Sequence, residues 1–387
     1  MSNAPNGRIP ELDGIRGIAI AMVVAHHYFF IPPVGMLWSG VDLFFVLSGF
    51  LIGGILIDAR RSPNYFRAFY TRRFFRIVPA YALIVASVFV LSLAGESGRA
   101  GRLDFLNAGR LPWTPYLLFL QNCWMAKHNT LGIFGLGVTW SLAVEEQFYL
   151  TLPLLVRFLD RRRLVPILIS GICLAPILRI CSYVFWPEQQ LSWYVLMQCR
   201  ADALLLGVLG AIVIRDSALS LRLASNPRIL RTALAVLGVG YLLYWKFSPG
   251  YQSFPMLAFG FTWIAIFYVC ILLHALTCRG WTSAFFRLRW LGWLGTIAYG
   301  TYLTHEFVRG AFFGLVWLRL PLPSGMSLPE FGLSILALGV TLTVCRFSWV
   351  YLESPLIQLG RSLTVQGASP VASSPLRSVE STRAASR

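Results

Sequence analysis

The chain alternates long apolar stretches with short polar breaks. Stretches close to the length that crosses a bilayer as a helix, about 20 residues, run near 15–36, 41–57, 77–94, 136–156, 164–183, 194–214, 232–247, 254–275, 290–311 and 331–350. The pattern predicts an all-α protein, a polytopic membrane helical bundle of about ten transmembrane helices forming one domain over 1–359. The first stretch, Ile15 to Met36, is too long for a signal peptide and lacks a small-residue cleavage site, so it is expected to persist as the first span. One apolar segment resists the scheme. Residues 115–135 are interrupted by Gln121, Asn122, Lys127, His128 and Asn129. A re-entrant or surface-lying piece on the outer face is expected there, because irregular backbone at membrane depth must be covered by protein or line a cavity. The tail 360–387, rich in Ser, Ala and Pro and without an apolar period, is expected to be disordered and cytoplasmic.

Charge gives the spans a direction. Basic residues gather in alternate breaks: Arg60, Arg61, Arg67, Arg72, Arg73 and Arg76; Arg157, Arg161, Arg162 and Arg163; Arg215, Arg222, Arg228 and Arg231; Arg279, Arg287 and Arg289. The breaks between them at 37–40, 184–193 and 248–253 hold no Lys or Arg, and 95–113 holds three, offset in part by Glu96 and Asp104. Basic loops stay on the cytoplasmic side of a bacterial-type cytoplasmic (inner) membrane, so in such a membrane both termini are expected in the cytoplasm. Only 13% of residues are charged and 57% are hydrophobic, whereas soluble domains carry about a quarter charged residues. The net charge of +17 is broken into clusters, which argues against a nucleic-acid partner and for contact with membrane lipid. Seven scattered Cys form no CxxC pair, and no HExxH or G-x-S-x-G run occurs. A metal site or a serine hydrolase therefore has no local support. Gly49, Gly53 and Gly54 fit close helix packing better than a phosphate loop.

Ionisable groups inside spans are costly and usually face a bundle interior or a cavity. His27 lies eleven residues beyond Arg16, about 16 Å along a helix axis. Glu146 lies eleven residues before Arg157, which puts it at a comparable depth, so the two are expected to meet. Asp42 opens the second span, Arg200 and Asp202 lie in the first turns of the sixth, and His305 is about 24 Å beyond Arg289 on a continuous helix. One cavity is expected to collect them. A neutral His can take a proton from a hydroxyl while a carboxylate orients its other nitrogen. His27 reads as that base or as an interhelical hydrogen-bonding residue, with His26 as its neighbour and competitor. Glu146 or Asp42 reads as the orienting acid, with Glu145 equally placed. Arg200 or Arg309 offers positive charge for a developing oxyanion or an anionic acceptor, and Asp202 and His305 would line the same site. Arg72, Arg73 and Arg76 suit the phosphates of a carrier, and suit topology and anionic lipid equally well.

These residues lie in runs that resemble the acyltransferase 3 family of integral-membrane O-acyltransferases, the group that includes bacterial O-antigen and other extracytoplasmic glycan acetylases. The runs are LDGIRGIAIAMVVAHH at 12–27, GVDLFFVLSGFLI at 40–52, RRFFRIVPAY at 72–81, WSLAVEEQFYL at 140–150, RADALLLG at 200–207, YGTYLTH at 299–305 and YLESP at 351–355. The resemblance selects the Arg16 and His27 pair over His26, with His27 near catalysis and Arg16 toward the donor. It implies acyl-CoA, most often acetyl-CoA, as co-substrate with no tightly bound cofactor. The implied reaction is transfer of the acyl group to a hydroxyl of an extracytoplasmic or lipid-linked carbohydrate. Gly300 replaces a common Ser, and Glu306 stands after His305 where an apolar residue is usual. No SGNH-type domain follows the last span, so any further acyl handling outside is expected to need a separate extracytoplasmic partner. A transporter or flippase for a glycan or lipid-linked substrate is the competing class; clear inverted repeats with broken helices, which would favour it, are not seen.

Overall fold

The computed structural model describes residues 9–29, 35–96, 113–132, 135–248, 250–278, 280–313 and 327–365. Most of the 95–113 connection, Arg279 and the tail beyond Val365 lie outside the described residues. In chain order the helices are α1 Pro10–Phe29, α2 Gly40–Ala59, α3 Tyr65–Glu96, α4 Trp113–Leu117, α5 Gln121–His128, α6 Thr139–Phe158, α7 Arg161–Phe185 and α8 Ser192–Val195. They continue as α9 Met197–Arg215, α10 Ser217–Ser225, α11 Pro227–Phe247, α12 Phe261–Thr277, α13 Trp281–Phe286, α14 Arg289–Phe312, α15 Leu328–Ser348 and α16 Ser354–Val365. Among the described residues there is no strand, and the fold is a helical membrane bundle.

The long helices α1, α2, α3, α6, α7, α9, α11, α12, α14 and α15 fall on the ten apolar stretches. Seven stretches, those with α2, α3, α7, α9, α11, α12 and α15, are long and apolar enough to cross a membrane. The others, α1, α6 and α14, carry His27, Glu145 and Glu146, and His305, Glu306 and Arg309. Ionisable groups of this kind lower the apolar character of the helices that carry them.

Three boundaries differ from the sequence expectation. Helix α3 begins at Tyr65, so Arg67, Arg72, Arg73 and Arg76 lie on its first turns and not in a loop. Arg is a good helix former, and its long stem lets the charge reach the interface. Helix α1 is described as far as Phe29, and Met36 is not part of it but precedes the short helical turn Leu37–Ser39. Residues 360–365, assigned to the tail, form the end of α16. That helix lies on α3, where Gly360 abuts Phe75 and Arg72 Nε donates to Thr364 Oγ1 at 2.8 Å.

The segment 115–135 does not span. It breaks into α4 and α5, with left-handed backbone at Phe119 (φ 54°) and Asn129 (φ 50°). Asn tolerates this region at a helix C-terminus, whereas Phe does not. Phe119 is held there by Gln147 Nε2, which donates to its carbonyl at 3.0 Å, and by stacking on Tyr81.

Two glycine seams set the bundle's core. A Cβ at Gly14 or Gly17 of α1 would collide with the carbonyls of Phe286 or Leu291, and one at Gly295 of α14 with the Asp13 carbonyl. Likewise Gly49 of α2 meets the Leu204 carbonyl of α9, and Gly207 of α9 meets the Val46 carbonyl. Small residues allow such backbone approach where lipid provides no hydrophobic drive between helices. Away from these seams, α7 and α11 turn Ile169, Leu174, Val236 and Val239 outward, the residues that hydrocarbon solvates. At the basic end, Arg215 clasps Asp58 with two bonds of 2.7 and 2.6 Å, tying α9 to α2. Beside it Asp216 caps α10. The Leu219 backbone N–H, and then Arg161, hold its carboxyl below the usual carboxylate range.

Candidate active site

The α1–α14 seam brings His27 against His305, residues 278 apart in sequence. His27 Nδ1 lies 2.9 Å from Val23 O, one turn back on α1, and 3.2 Å from His305 Nε2. His27 Nε2 faces Glu306 Oε1 at 3.3 Å. Behind this pair, His305 Nδ1 contacts the carbonyls of Tyr302 and Thr301 at 2.8 and 3.1 Å. Tyr28 donates to the His305 carbonyl at 2.8 Å and shares a 2.8 Å bond with Thr341 of α15, which fixes α14 between α1 and α15. Arg309, one turn past His305, lies over the rings of Tyr28 and Phe313. Its charge acts on both His27 and Glu306.

His27 and Glu306 open onto a cavity of about 100 Å³. Its walls include His26, Trp38, Trp140, Tyr194, Tyr251 and Tyr302. Tyr302 is pinned by Ser141 at 2.5 Å and donates to Val138 O at 3.0 Å. His305 is fully buried and not a wall residue.

The single expected cavity is therefore divided. The carboxylate within ion-pair reach of His27 is Glu306's, not Glu146's or Asp42's. Asp42 instead pairs with Arg200 at 2.6 Å, both side chains 1% exposed. Arg200 stacks on Phe261 at 3.9 Å and lies 5.2 and 6.0 Å from the rings of Tyr194 and Trp140. It is thus sealed beneath the cavity's aromatic floor and does not line the site. Asp202 bonds Arg179 at 2.9 Å and Thr262 at 2.6 Å. Arg179 is wholly buried and also donates to the carbonyls of Leu257 and Cys199, each at 2.6 Å. Burial in a membrane demands paired charges. Every Arg179 nitrogen also has an acceptor, whereas Arg200 Nε and Nη1 and Asp42 Oδ2 are buried without a hydrogen-bond partner among the described residues.

Glu146 belongs to a second polar cluster. Arg73 acts on both Glu145 and Glu146, while the Arg73 guanidinium lies over Phe69 and Tyr149. Tyr149 and Ser48 share a 2.6 Å bond, and Glu353 accepts from Ser348 at 3.1 Å. Arg76 acts on Glu145 and Glu353. Of the three arginines expected to meet carrier phosphates, the charges of Arg73 and Arg76 act on Glu145, and the exposed Arg72 meets α16. Arg16 bonds Asp13 at 2.8 Å near the other end of α1 from His27. Among the described residues, no group of three or more His, Cys, Asp or Glu is arranged to hold a metal ion.

Sequence reasoning missed Arg179 and Tyr302, and noted Glu306 only as an unusual neighbour of His305 without assigning it to the site. Arg179 had a signal, since an Arg well inside an apolar stretch needs a partner. Glu306 had one too, as an acid next to an intramembrane His.

Fold and site define a polytopic membrane protein with acid–base groups buried against a cavity. The chain belongs to the acyltransferase 3 family, whose model, described as an acyltransferase domain, matches residues 9–349. It is 28% identical over 372 residues to the peptidoglycan O-acetyltransferase OatA of Listeria monocytogenes, covering 91% of this chain and 56% of that protein. It is 24% identical over 369 residues to the O-acetyltransferase OatA of Staphylococcus aureus, covering 91% of this chain and 58% of that protein. The chain thus spans about half the length of the curated relatives it matches. No solved structure matches it.

Proposed function

We propose that the protein is an acyl-CoA-dependent O-acyltransferase of the bacterial cytoplasmic membrane, with both termini cytoplasmic. It moves an acyl group, acetyl by analogy with the relatives' names, from acetyl-CoA to a hydroxyl of an extracytoplasmic or lipid-linked carbohydrate. A cell-wall glycan is the acceptor class that those names favour. The observation that carries this reading is His27, with a ring nitrogen directed toward Glu306, on a cavity walled by Trp and Tyr. Aromatic faces suit the C–H faces of a sugar ring, and the polar edges of Tyr suit its hydroxyls.

In this mechanism the acceptor enters the aromatic cavity and the thioester approaches from the basic side, past Arg72, Arg73 and Arg76. His27 takes the hydroxyl proton as the oxygen attacks the thioester carbonyl. The tetrahedral intermediate places negative charge on the former carbonyl oxygen, and Arg309 supplies the nearby positive charge. Collapse breaks the carbon–sulfur bond, and the departing thiolate recovers the proton from His27. The products are an acyl ester and free CoA thiol.

Replacement of His27 by Ala is expected to lower acetyl transfer by about 100-fold or more, at unchanged abundance in the membrane. Mass spectrometry of cell-envelope glycans from cells with and without the gene reads the added acetyl mass. Full acetylation by the His27→Ala protein would reject His27 as the base.

A further inference from the structure

The hydrogen-bond partners of the two histidines assign their protons. His305 Nδ1 faces only carbonyls, at Tyr302 and Thr301. A carbonyl can only accept, so Nδ1 carries the hydrogen, and Nε2 of the neutral ring accepts. His27 Nδ1 in turn faces that Nε2 and the Val23 carbonyl. Both are acceptors, so His27 Nδ1 is a donor as well. One position of the pair is left for proton exchange, His27 Nε2, and it faces Glu306 Oε1 at 3.3 Å. A bare nitrogen lone pair and an ionised carboxylate repel at that separation. A proton between them removes the repulsion, and so does a hydroxyl donated into the gap.

We propose that Glu306 and His27 form a couple with one exchangeable proton, and that Glu306 is the positioning residue that makes His27 a base. The inference rests on the reading of His27 as the base. With the couple deprotonated, an acceptor hydroxyl entering from the cavity donates to His27 Nε2. Attack on the thioester moves that proton onto Nε2, and the imidazolium so formed is held by the Glu306 carboxylate beside it. When the carbon–sulfur bond breaks, the proton passes to the CoA thiolate, and the couple returns to its starting state. His305 takes no proton; it keeps Nδ1 of His27 a donor, so that exchange is confined to Nε2.

The test compares wild type, Glu306→Gln, Glu306→Asp, His27→Ala and the His27→Ala/Glu306→Gln double variant in membrane vesicles, with acetyl-CoA and soluble peptidoglycan fragments as probes. Glu306→Gln is expected to lose about 100-fold in kcat while KM for both substrates stays within about twofold, the split expected of an interaction made only in the transition state. Glu306→Asp, which keeps the charge at a longer gap, is expected to recover about tenfold over Gln. The double variant should be no slower than His27→Ala, because a residue acting through His27 has nothing to act on without it. Wild-type kcat in Glu306→Gln overturns the inference, as does additive loss in the double variant. Should Glu306→Gln fail to accumulate, Glu306→Asp carries the test, and an unchanged kcat there overturns it equally. A wild-type protein that forms no acetylated product overturns the proposed function and this inference with it. An inactive His27→Ala beside a fully active Glu306→Gln overturns only the inference.

Discussion

At the scale of single residues, the molecule separates charges sealed in the interior from charges open to a cavity. Arg179 places three nitrogens on four acceptors: Leu257 O, Cys199 O, Asp202 Oδ2 and Thr262 Oγ1. It thereby joins α7, α9 and the π-helical turn Met256–Gly260 that leads into α12. Removing it strands Asp202 in a low-dielectric interior, where a lone buried charge is worth far more than the pair it came from. Arg179→Met is expected to destabilise the protein by about 3–5 kcal/mol, read as a fall in the midpoint of thermal unfolding in detergent. The Arg179→Met/Asp202→Asn double variant should regain part of that loss, since both charges are then gone. His27 has a different environment. Its side chain and that of Glu306 keep 25% and 20% exposure, enough for a substrate atom to reach them.

Between elements, the glycine seams decide which polar groups can meet. Gly49 and Gly207 let α2 and α9 approach to backbone contact, and the same helices carry Asp42 and Arg200 into their 2.6 Å pair. The α1–α14 seam does the corresponding work for His27 and His305. A Val at Gly207 would drive its Cβ into the Val46 carbonyl and the Phe50 amide, so the helices must part. Gly207→Val is expected to cost at least about 1–3 kcal/mol, the range of an overpacked core, and to lower the unfolding midpoint. Gly332→Ala on α15 is the control, because no atom lies within 4 Å of the added Cβ. That change should be neutral or slightly stabilising through helix propensity.

For the whole molecule, the buried polar groups fall into several clusters: the His27, His305 and Glu306 site against its aromatic cavity, the Asp42–Arg200 pair, the Arg179, Asp202 and Thr262 network, and the group in which Arg73 and Arg76 act on Glu145, Glu146 and Glu353. On the proposed mechanism the acceptor meets the first of these and the donor passes the last. On the topology expected from the charge pattern, the Arg161–Arg163 break faces inward and the 186–191 break outward. In a background lacking the seven cysteines, Gln190→Cys is expected to react with an impermeant maleimide on intact cells. Arg162→Cys should react only after permeabilisation. The reverse pattern would invert the topology and the assignment of donor and acceptor sides. Both side chains are exposed, so a failure to react reports the barrier and not burial.

The sequence by itself determined the helices, the break at 115–135 and the chemical types buried in them, because apolar length and local turn chemistry are read within a few residues. It also placed His27 and His305 as candidates for one site, since depth along a helix follows from a fixed rise per residue. Only the tertiary structure decided which acid meets His27, which arginine is sealed under the aromatic floor and which segments pack against the basic face. Those outcomes depend on the rotation of each helix about its axis and on the neighbour it packs against. Glycine contacts between segments far apart in sequence set both, and residue depth carries no record of either.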